Sequence, residues 1–103
     1  MFIVDTNFLM KDYKNLEFLE GDVVIPITVI RELDNHKNDN GPIGYNTRKS
    51  LRLINDAIDN GYVLPNGFKV TVDEYEYPEL QKNDDKIIAS AKFSGGTLIT
   101  GDL

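Results

Sequence analysis

The chain has 103 residues, with 17 acidic residues against 11 lysines and arginines and a formal net charge of −6. This length supports one compact domain, and 41% hydrophobic residues exclude a disordered or collagen-like chain. The acidic balance excludes a domain that holds nucleic acid mainly through a basic surface. Because the sequence contains no cysteine, any metal ion must be held by oxygen ligands or by His36.

The first half of the chain alternates apolar runs with helical patterns. Phe2–Val4 and residues 23–25 are predicted strands buried on both faces, because each is a β-branched apolar run. Residues 8–20 between them predict two short helices. Thr28 is the predicted N-cap of a further helix, which ends near Asn38.

The second half predicts one long helix, then a strand, a helix and a last strand. Residues 38–44 are rich in turn formers and predict a loop, whereas apolar residues recur with helical period in residues 45–60. Residues 63–72 contain a Pro-Asn-Gly turn and predict a hairpin or a kinked strand. Asn83 is the predicted N-cap of the next helix, and residues 97–100 form the last strand.

This order of elements predicts an α/β fold with an open, mostly parallel sheet. In such sheets, ligands bind beyond the carboxyl ends of the strands, near the position where the strand order reverses. We therefore expect the chemistry of this chain at that edge.

Five acidic residues fall where this edge is expected. Asp5 ends the first strand and Asp102 follows the last one. Glu32, Asp84 and Asp85 lie near the starts of helices. Carboxylates that converge repel one another unless raised pKa values or a divalent cation neutralise them. Oxygen ligands select Mg²⁺ or Mn²⁺, and such an ion supports hydrolysis of a phosphodiester.

Short motifs around these acids carry a resemblance to a known family. The motifs are Val4-Asp5-Thr6-Asn7, Ile25-Pro26-Ile27 before Arg31-Glu32-Leu33, Asn83-Asp84-Asp85-Lys86-Ile87-Ile88-Ala89, and Ile99-Thr100-Gly101-Asp102. In spacing and order they resemble PIN-domain nucleases along essentially the whole chain. The motif Gly44-x-Asn46-x-Arg48, followed by the long helix, is similar to the PIN domain of PhoH-like proteins.

The resemblance implies a three-layer α/β/α sandwich and a ribonuclease that depends on Mg²⁺ or Mn²⁺. By position, the resemblance implies four catalytic and metal-binding acids, which are Asp5, Glu32, Asp85 and Asp102. It implies Asp84 as an additional metal ligand. It also implies that three residues orient the carboxylates, namely Thr6, Asn7 and Thr100. Since PIN domains usually continue beyond the Thr-x-Asp motif, residues 1–103 are expected to be a single PIN-like domain truncated at its C-terminus.

One basic region stands out in the acidic chain. Residues 31–52 contain five basic and three acidic residues, which suits a track for RNA phosphates. The predicted RNA-binding residues are Asn46, Arg48, Lys49 and Arg52. The alternative for this region is a solvated helix face without a ligand.

A second region has the opposite charge. Residues 73–85 contain six acidic residues and one lysine, and residues 73–82 are predicted to form a loop. Tyr75 and Tyr77 in this loop either stack on unpaired bases or cover an edge of the core.

The function predicted from the sequence is a metal-dependent endoribonuclease acting on single-stranded RNA. The alternative is a non-catalytic module that binds RNA or protein within a larger PhoH-like protein. Expected partners are RNA, a second copy of the chain, and a covalently linked ATPase domain. No apolar run approaches the length of a membrane span, so we expect a cytoplasmic protein.

Overall fold

The computed structural model describes residues 1–101. In these residues, four parallel strands form one sheet that packs against helices. The strands are β1 (Phe2–Val4), β2 (Val23–Pro26), β3 (Val70–Asp73) and β4 (Thr97–Ile99). The helices are α1 (Thr6–Lys11), α2 (Asn15–Phe18), α3 (Ile27–His36), α4 (Gly41–Asp59) and α5 (Asn83–Ser94). The predicted α/β class with an open parallel sheet is confirmed.

The strand order is β3-β2-β1-β4, so its direction reverses at β1. The chain moves from β1 through β2 to β3 and then returns to the far side of β1. Because parallel crossovers are right-handed, this reversal puts α5 on the opposite face of the sheet from α1 to α4. The layers are therefore α/β/α, and the reversal leaves a crevice beyond the carboxyl ends of β1 and β4.

The two central strands are almost entirely buried. Ile3, Val4, Val23 and Ile25 have at most 1% of their surface exposed, as expected for strands covered by helices on both faces. Val4, Val23 and Ile25 pack in one cluster with side chains from the helices, including Leu9, Leu16, Val29, Leu33, Ile54 and Ile87. Each such side chain contributes about 1.5–3 kcal/mol on burial, which holds the ends of the strands in place.

Helix α4 begins earlier than the sequence predicts. The predicted loop over residues 38–44 is wrong beyond Asn40, which is the N-cap residue of a helix that starts at Gly41. Pro42 lies in the first turn, where its missing N–H costs no hydrogen bond, so a turn-forming composition here starts a helix. Farther along α4, the hydroxyl of Ser50 donates to the Leu9 carbonyl at 2.9 Å and fastens α4 to α1.

Two predicted helix caps are also wrong. Helix α3 starts directly after Pro26, because the extended backbone of that proline leads from strand into helix, and Thr28 is buried inside the first turn. Helix α5 has Lys82 as its N-cap, with Asn83 as the first helical residue. In residues 63–72 the hairpin alternative holds: Val63 and Lys69 form one antiparallel bridge across the Pro-Asn-Gly turn, and the N–H of Leu64 donates to the Phe68 carbonyl at 2.8 Å. Within residues 1–101, no helix is long and apolar enough to span a membrane.

Candidate active site

Asp5 lies directly beyond the carboxyl end of β1, beside the position where the strand order reverses. It is the N-cap of α1, and its Oδ1 accepts a hydrogen bond from the backbone N–H of Phe8 at 2.9 Å. The same oxygen accepts from the N–H of Gly101 at 3.1 Å, while the N–H of Asp5 donates to the Ile99 carbonyl at 3.1 Å. These bonds orient the carboxylate and join the end of β1 to the segment that follows β4.

Glu32 is held near this edge by a residue of the neighbouring helix. The hydroxyl of Thr6 donates to Oε1 of Glu32 at 2.6 Å, and Thr6 itself is buried. Because Thr6 follows Asp5 in the chain, this bond ties the first turn of α1 to α3. The side chains of Asp5 and Glu32 are both partly exposed, so solvent and ligands reach them.

A cavity of about 250 Å³ opens at the reversal of strand order. Its lining residues are Asp5, Asp84, Ile87, Ile88, Leu98 and Thr100. Asp5 at the end of β1 and Asp84 in the first turn of α5 therefore line the same cavity. Its other lining residues are mostly apolar.

The two acids in the first turn of α5 differ in their relation to the cavity. Asp84 lines it together with Ile87 and Ile88, which follow at the three- and four-residue spacing of one helix face. Asp85 is not among the described residues that line the cavity. Asp84, which the family resemblance gives as an additional metal ligand, therefore shares the cavity with Asp5, and the catalytic role that the resemblance gives to Asp85 stays a prediction.

The remaining predicted site residues lie around this cavity. Thr100 is exposed and lines it, and Asn7 lines a neighbouring cavity of about 270 Å³ that also contains Lys11. Both Asn7 and Thr100 have polar or ring partners within the protein. Asp102 lies outside the described residues.

The chemistry of these donors fits Mg²⁺ or Mn²⁺, since every candidate ligand is a carboxylate oxygen. Their arrangement fits only in part. Asp5 shares the cavity with Asp84, and Thr6 links the chain at Asp5 to Glu32. Within residues 1–101, however, no three carboxylate or histidine side chains form a group that would hold a metal ion. The predicted cluster of four or five acids is thus not seen in the described part of the chain.

The motif Gly44-x-Asn46-x-Arg48 packs helix against loop. A Cβ at Gly44 would overlap the backbone carbonyl of Asp39, so only glycine lets the preceding loop cross α4 there. The side-chain amide of Asn46 accepts from the N–H of Tyr13 at 3.1 Å and donates to a carbonyl of its own helix. Nη1 of Arg48 donates to the carbonyl of Lys37 at 2.8 Å, just past the end of α3. Two of the predicted RNA-binding side chains therefore carry structural hydrogen bonds.

The other two predicted RNA-binding residues are more available to a ligand. The ammonium of Lys49 lies 5.6 Å from the centre of the Tyr45 ring, a cation–π contact. Arg52 is exposed and lines a groove of about 710 Å³ between α3 and α4. Arg31 and Lys37 line the same groove, but they form ion pairs with Glu76 and Asp34 respectively.

A polar network that is not predicted from the sequence lies at the carboxyl end of β3. Oδ2 of Asp73 accepts from the hydroxyl of Ser90 at 2.6 Å and from that of Tyr77 at 2.8 Å. Burial alone would raise the pKa of Asp73, but these bonds and one from the N–H of Tyr75 outweigh it and lower the pKa. Burial, and then the bond to Asp73, raises the pKa of Tyr77 to about 12. An acid directly after an apolar strand, the pattern already recognised at Asp5, was the available signal.

The fold agrees with the comparisons to known proteins. A family model described as PIN domain matches residues 2–95. The chain belongs to the PIN-domain family. Proteins of this family are generally nucleases, and they typically use divalent metal ions.

Two curated relatives of this PIN domain are both named Protein PhoH2. The protein from Bacillus subtilis (strain 168) is 29% identical over 106 residues, which cover 89% of this chain and 24% of the relative. The protein from Thermobispora bispora is 39% identical over 56 residues, covering 53% of this chain and 13% of the relative. The chain thus spans about a quarter of the length of the first of these relatives.

Proposed function

We propose that this PIN domain is a Mg²⁺- or Mn²⁺-dependent endoribonuclease that hydrolyses phosphodiester bonds of single-stranded RNA. The observation that carries the proposal is the cavity at the reversal of strand order, which Asp5 and Asp84 line together. A bound divalent cation would polarise the phosphoryl oxygen and lower the pKa of an attacking water, so no protein nucleophile is needed.

The predicted site residues at this edge have defined parts in this proposal. Asp5 and Asp84, which line one cavity, would hold the cation through carboxylate oxygens, and Glu32 and Asp102 are retained as further predicted ligands. Two backbone N–H groups orient Asp5, and the hydroxyl of Thr6 orients Glu32. The lining of the cavity supports Asp84 over Asp85 as the ligand from α5.

The neighbouring polar residues would position the substrate rather than act on it. Asn7 and Thr100, which border the two cavities, would orient the carboxylates or the bound RNA. Along α4, Lys49 and Arg52 would contact RNA phosphates, since a cation on a solvent-facing helix contributes to backbone binding without reading sequence. Asn46 and Arg48 contribute chiefly by holding α4 in place.

The matched pair Asp84→Asn and Asp85→Asn tests the site directly. Cleavage of an end-labelled single-stranded RNA is measured with Mn²⁺, using Asp5→Asn as the reference for a lost ligand. We expect Asp5→Asn and Asp84→Asn each to lower the rate by more than roughly 100-fold, because losing a residue that merely orients a ligand already costs roughly 10–100-fold. Asp85→Asn should retain a rate within about threefold of the parent, because an exposed carboxylate outside the cavity contributes little.

Thermal unfolding of the same variants is the control, since all three should melt close to the parent. Loss of activity in Asp85→Asn with full activity in Asp84→Asn would assign the site to the other acid. Full activity in Asp5→Asn would refute the proposed nuclease site.

The second candidate function is a non-catalytic module that binds RNA or protein. It is favoured by one observation, the lack of a three-residue acidic group within residues 1–101. Calorimetric titration with Mn²⁺ separates the two functions. Binding that Asp84→Asn abolishes supports the nuclease, whereas no binding at millimolar metal, together with no RNA cleavage, supports the module.

Three other sequence-based expectations stay predictions. They are self-association of the chain, a covalently linked ATPase domain in a longer protein, and a cytoplasmic location.

A further inference from the structure

An aromatic pocket lies at the C-terminal half of α5, outside the cavity that Asp5 and Asp84 line. It is formed by Tyr75, Tyr77, Glu79 and Phe93 and encloses about 400 Å³. Phe93 is 79% exposed and Tyr75 is 58% exposed, although large aromatic side chains normally bury most of their surface. Exposed rings gathered around one cavity typically mark a binding site.

The rings are held in a fixed arrangement. Tyr77 is buried, and its hydroxyl donates to Asp73 at 2.8 Å, so the central ring cannot turn away. Tyr75 stands nearly perpendicular to it, with ring centres 4.7 Å apart and an interplanar angle of 82°. Phe93 is stacked beside Tyr77, with centres 5.8 Å apart and an angle of 21°. The pocket therefore has perpendicular aromatic walls before any ligand arrives.

The negative charge around the pocket favours a positively charged ligand. Glu79 lines the cavity, and the N–H of Leu80 donates to the Tyr77 carbonyl at 3.0 Å, which orders the turn that carries Glu79. Residues 73–79, which carry Glu79 and both tyrosines of the pocket, contain four acidic residues and no basic one, and one of the four, Glu76, pairs with Arg31. The faces of aromatic rings are also negative. A phosphate group, and hence RNA, is repelled here, whereas a cation is attracted by both the rings and the carboxylate.

We propose that the aromatic pocket binds an arginine side chain presented by a basic segment of a partner protein. A guanidinium group is planar and stacks on ring faces, and its fork of N–H donors matches the carboxylate of Glu79. An ammonium group is more strongly hydrated and has no planar face to stack on a ring, so lysine fits the pocket less well. The interaction does not depend on the nuclease activity proposed above.

The probe is a capped pentaglycine peptide with arginine at its central position, titrated into the isotope-labelled chain and followed by NMR. Peptides with citrulline or lysine at that position are the controls, because citrulline keeps the shape of arginine and lacks its charge. We expect saturable shifts centred on Tyr75, Glu79 and Phe93, with affinity in the order arginine, lysine, citrulline.

Matched variants assign the binding to the pocket. Phe93→Ala should weaken arginine-peptide binding about threefold or more, and Glu79→Gln should weaken it and reduce its salt dependence. Phe18→Ala and Glu20→Gln, which remove an equally exposed ring and carboxylate elsewhere, should leave the affinity unchanged. Because Phe93 is mostly exposed, its variant is expected to fold, and circular dichroism checks this.

Three results would overturn the proposal. The first is equal binding of the arginine and citrulline peptides, which would remove the role of charge. The second is equal binding of the arginine and lysine peptides, which would remove the role of the planar guanidinium. The third is a set of saturable shifts at these residues with a single-stranded oligonucleotide alone, which would identify the pocket as a base-stacking site.

Discussion

The hydrogen bond between Ser90 and Asp73 leads to a pH-dependent stability prediction. Ser90 is fully buried, and its hydroxyl donates to Oδ2 of Asp73 at 2.6 Å, joining α5 to the end of β3. Ser90→Ala removes this donor without leaving an unsatisfied group at residue 90. A hydrogen bond to a charged group contributes about 1.5–3 kcal/mol, so the free energy of unfolding at about pH 7 should fall by that amount.

The loss should depend on pH because the acceptor is a carboxylate. The pKa of Asp73 in the folded chain is lowered from its ordinary value of 3.8. A lowered pKa means that the stabilisation is complete above about pH 4 and disappears as the pH falls through the folded-state value. The difference in stability between the parent and Ser90→Ala should therefore shrink as the pH falls below the ordinary value of 3.8.

Urea unfolding followed by far-UV circular dichroism measures this difference across the pH range. Ser94→Ala is the matched control on the same helix, because the hydroxyl of Ser94 donates to an uncharged acceptor, the Ser90 carbonyl, at 2.7 Å. Its effect should be smaller and constant with pH. The reasoning is refuted if Ser90→Ala and Ser94→Ala cost the same free energy at every pH.

Two further predictions concern Gly44 and Tyr77. Gly44→Ala should lower the free energy of unfolding by about 1–3 kcal/mol or more, since its Cβ meets the Asp39 carbonyl, while Asn55→Ala on the exposed side of α4 should cost almost nothing. Equal urea midpoints for these two variants would contradict the packing role of Gly44. In a spectrophotometric titration of the five tyrosines, one should ionise near pH 12, and Tyr77→Phe should remove that step. If Tyr77→Phe left the high-pH part of the titration unchanged, the hydroxyl of Tyr77 would not be buried and hydrogen-bonded to Asp73.

Much of the fold follows from local patterns in the sequence. The apolar run at Phe2–Val4 predicts β1 because β-branched residues without polar neighbours suit a strand covered on both faces. Alternation of such runs with helical periodicity predicts a parallel α/β sheet, and Asp5 then falls at the carboxyl end of β1. Helix starts were predicted less well, as at Thr28 and Asn83, because a residue able to cap a helix does so only where the backbone enters from the correct direction.

The choice between Asp84 and Asp85 was beyond local patterns. Both are acids in the first turn of one helix, and only the tertiary structure shows that Asp84 lines the cavity that Asp5 also lines. The family resemblance gives the catalytic role to Asp85, and a motif offset cannot show which residue of a helical turn borders a cavity.

The sequence by itself determined the α/β class, the place of Asp5 and the family to which this chain is similar, because these depend on periodicity and on short contiguous motifs. Tertiary structure decided which residues share a space. It brought Asp84 to Asp5, assigned Asn46 and Arg48 to packing contacts, and joined Asp73, Tyr77 and Ser90 into one network. These contacts join residues far apart in the chain, so they depend on how helices and strands pack together.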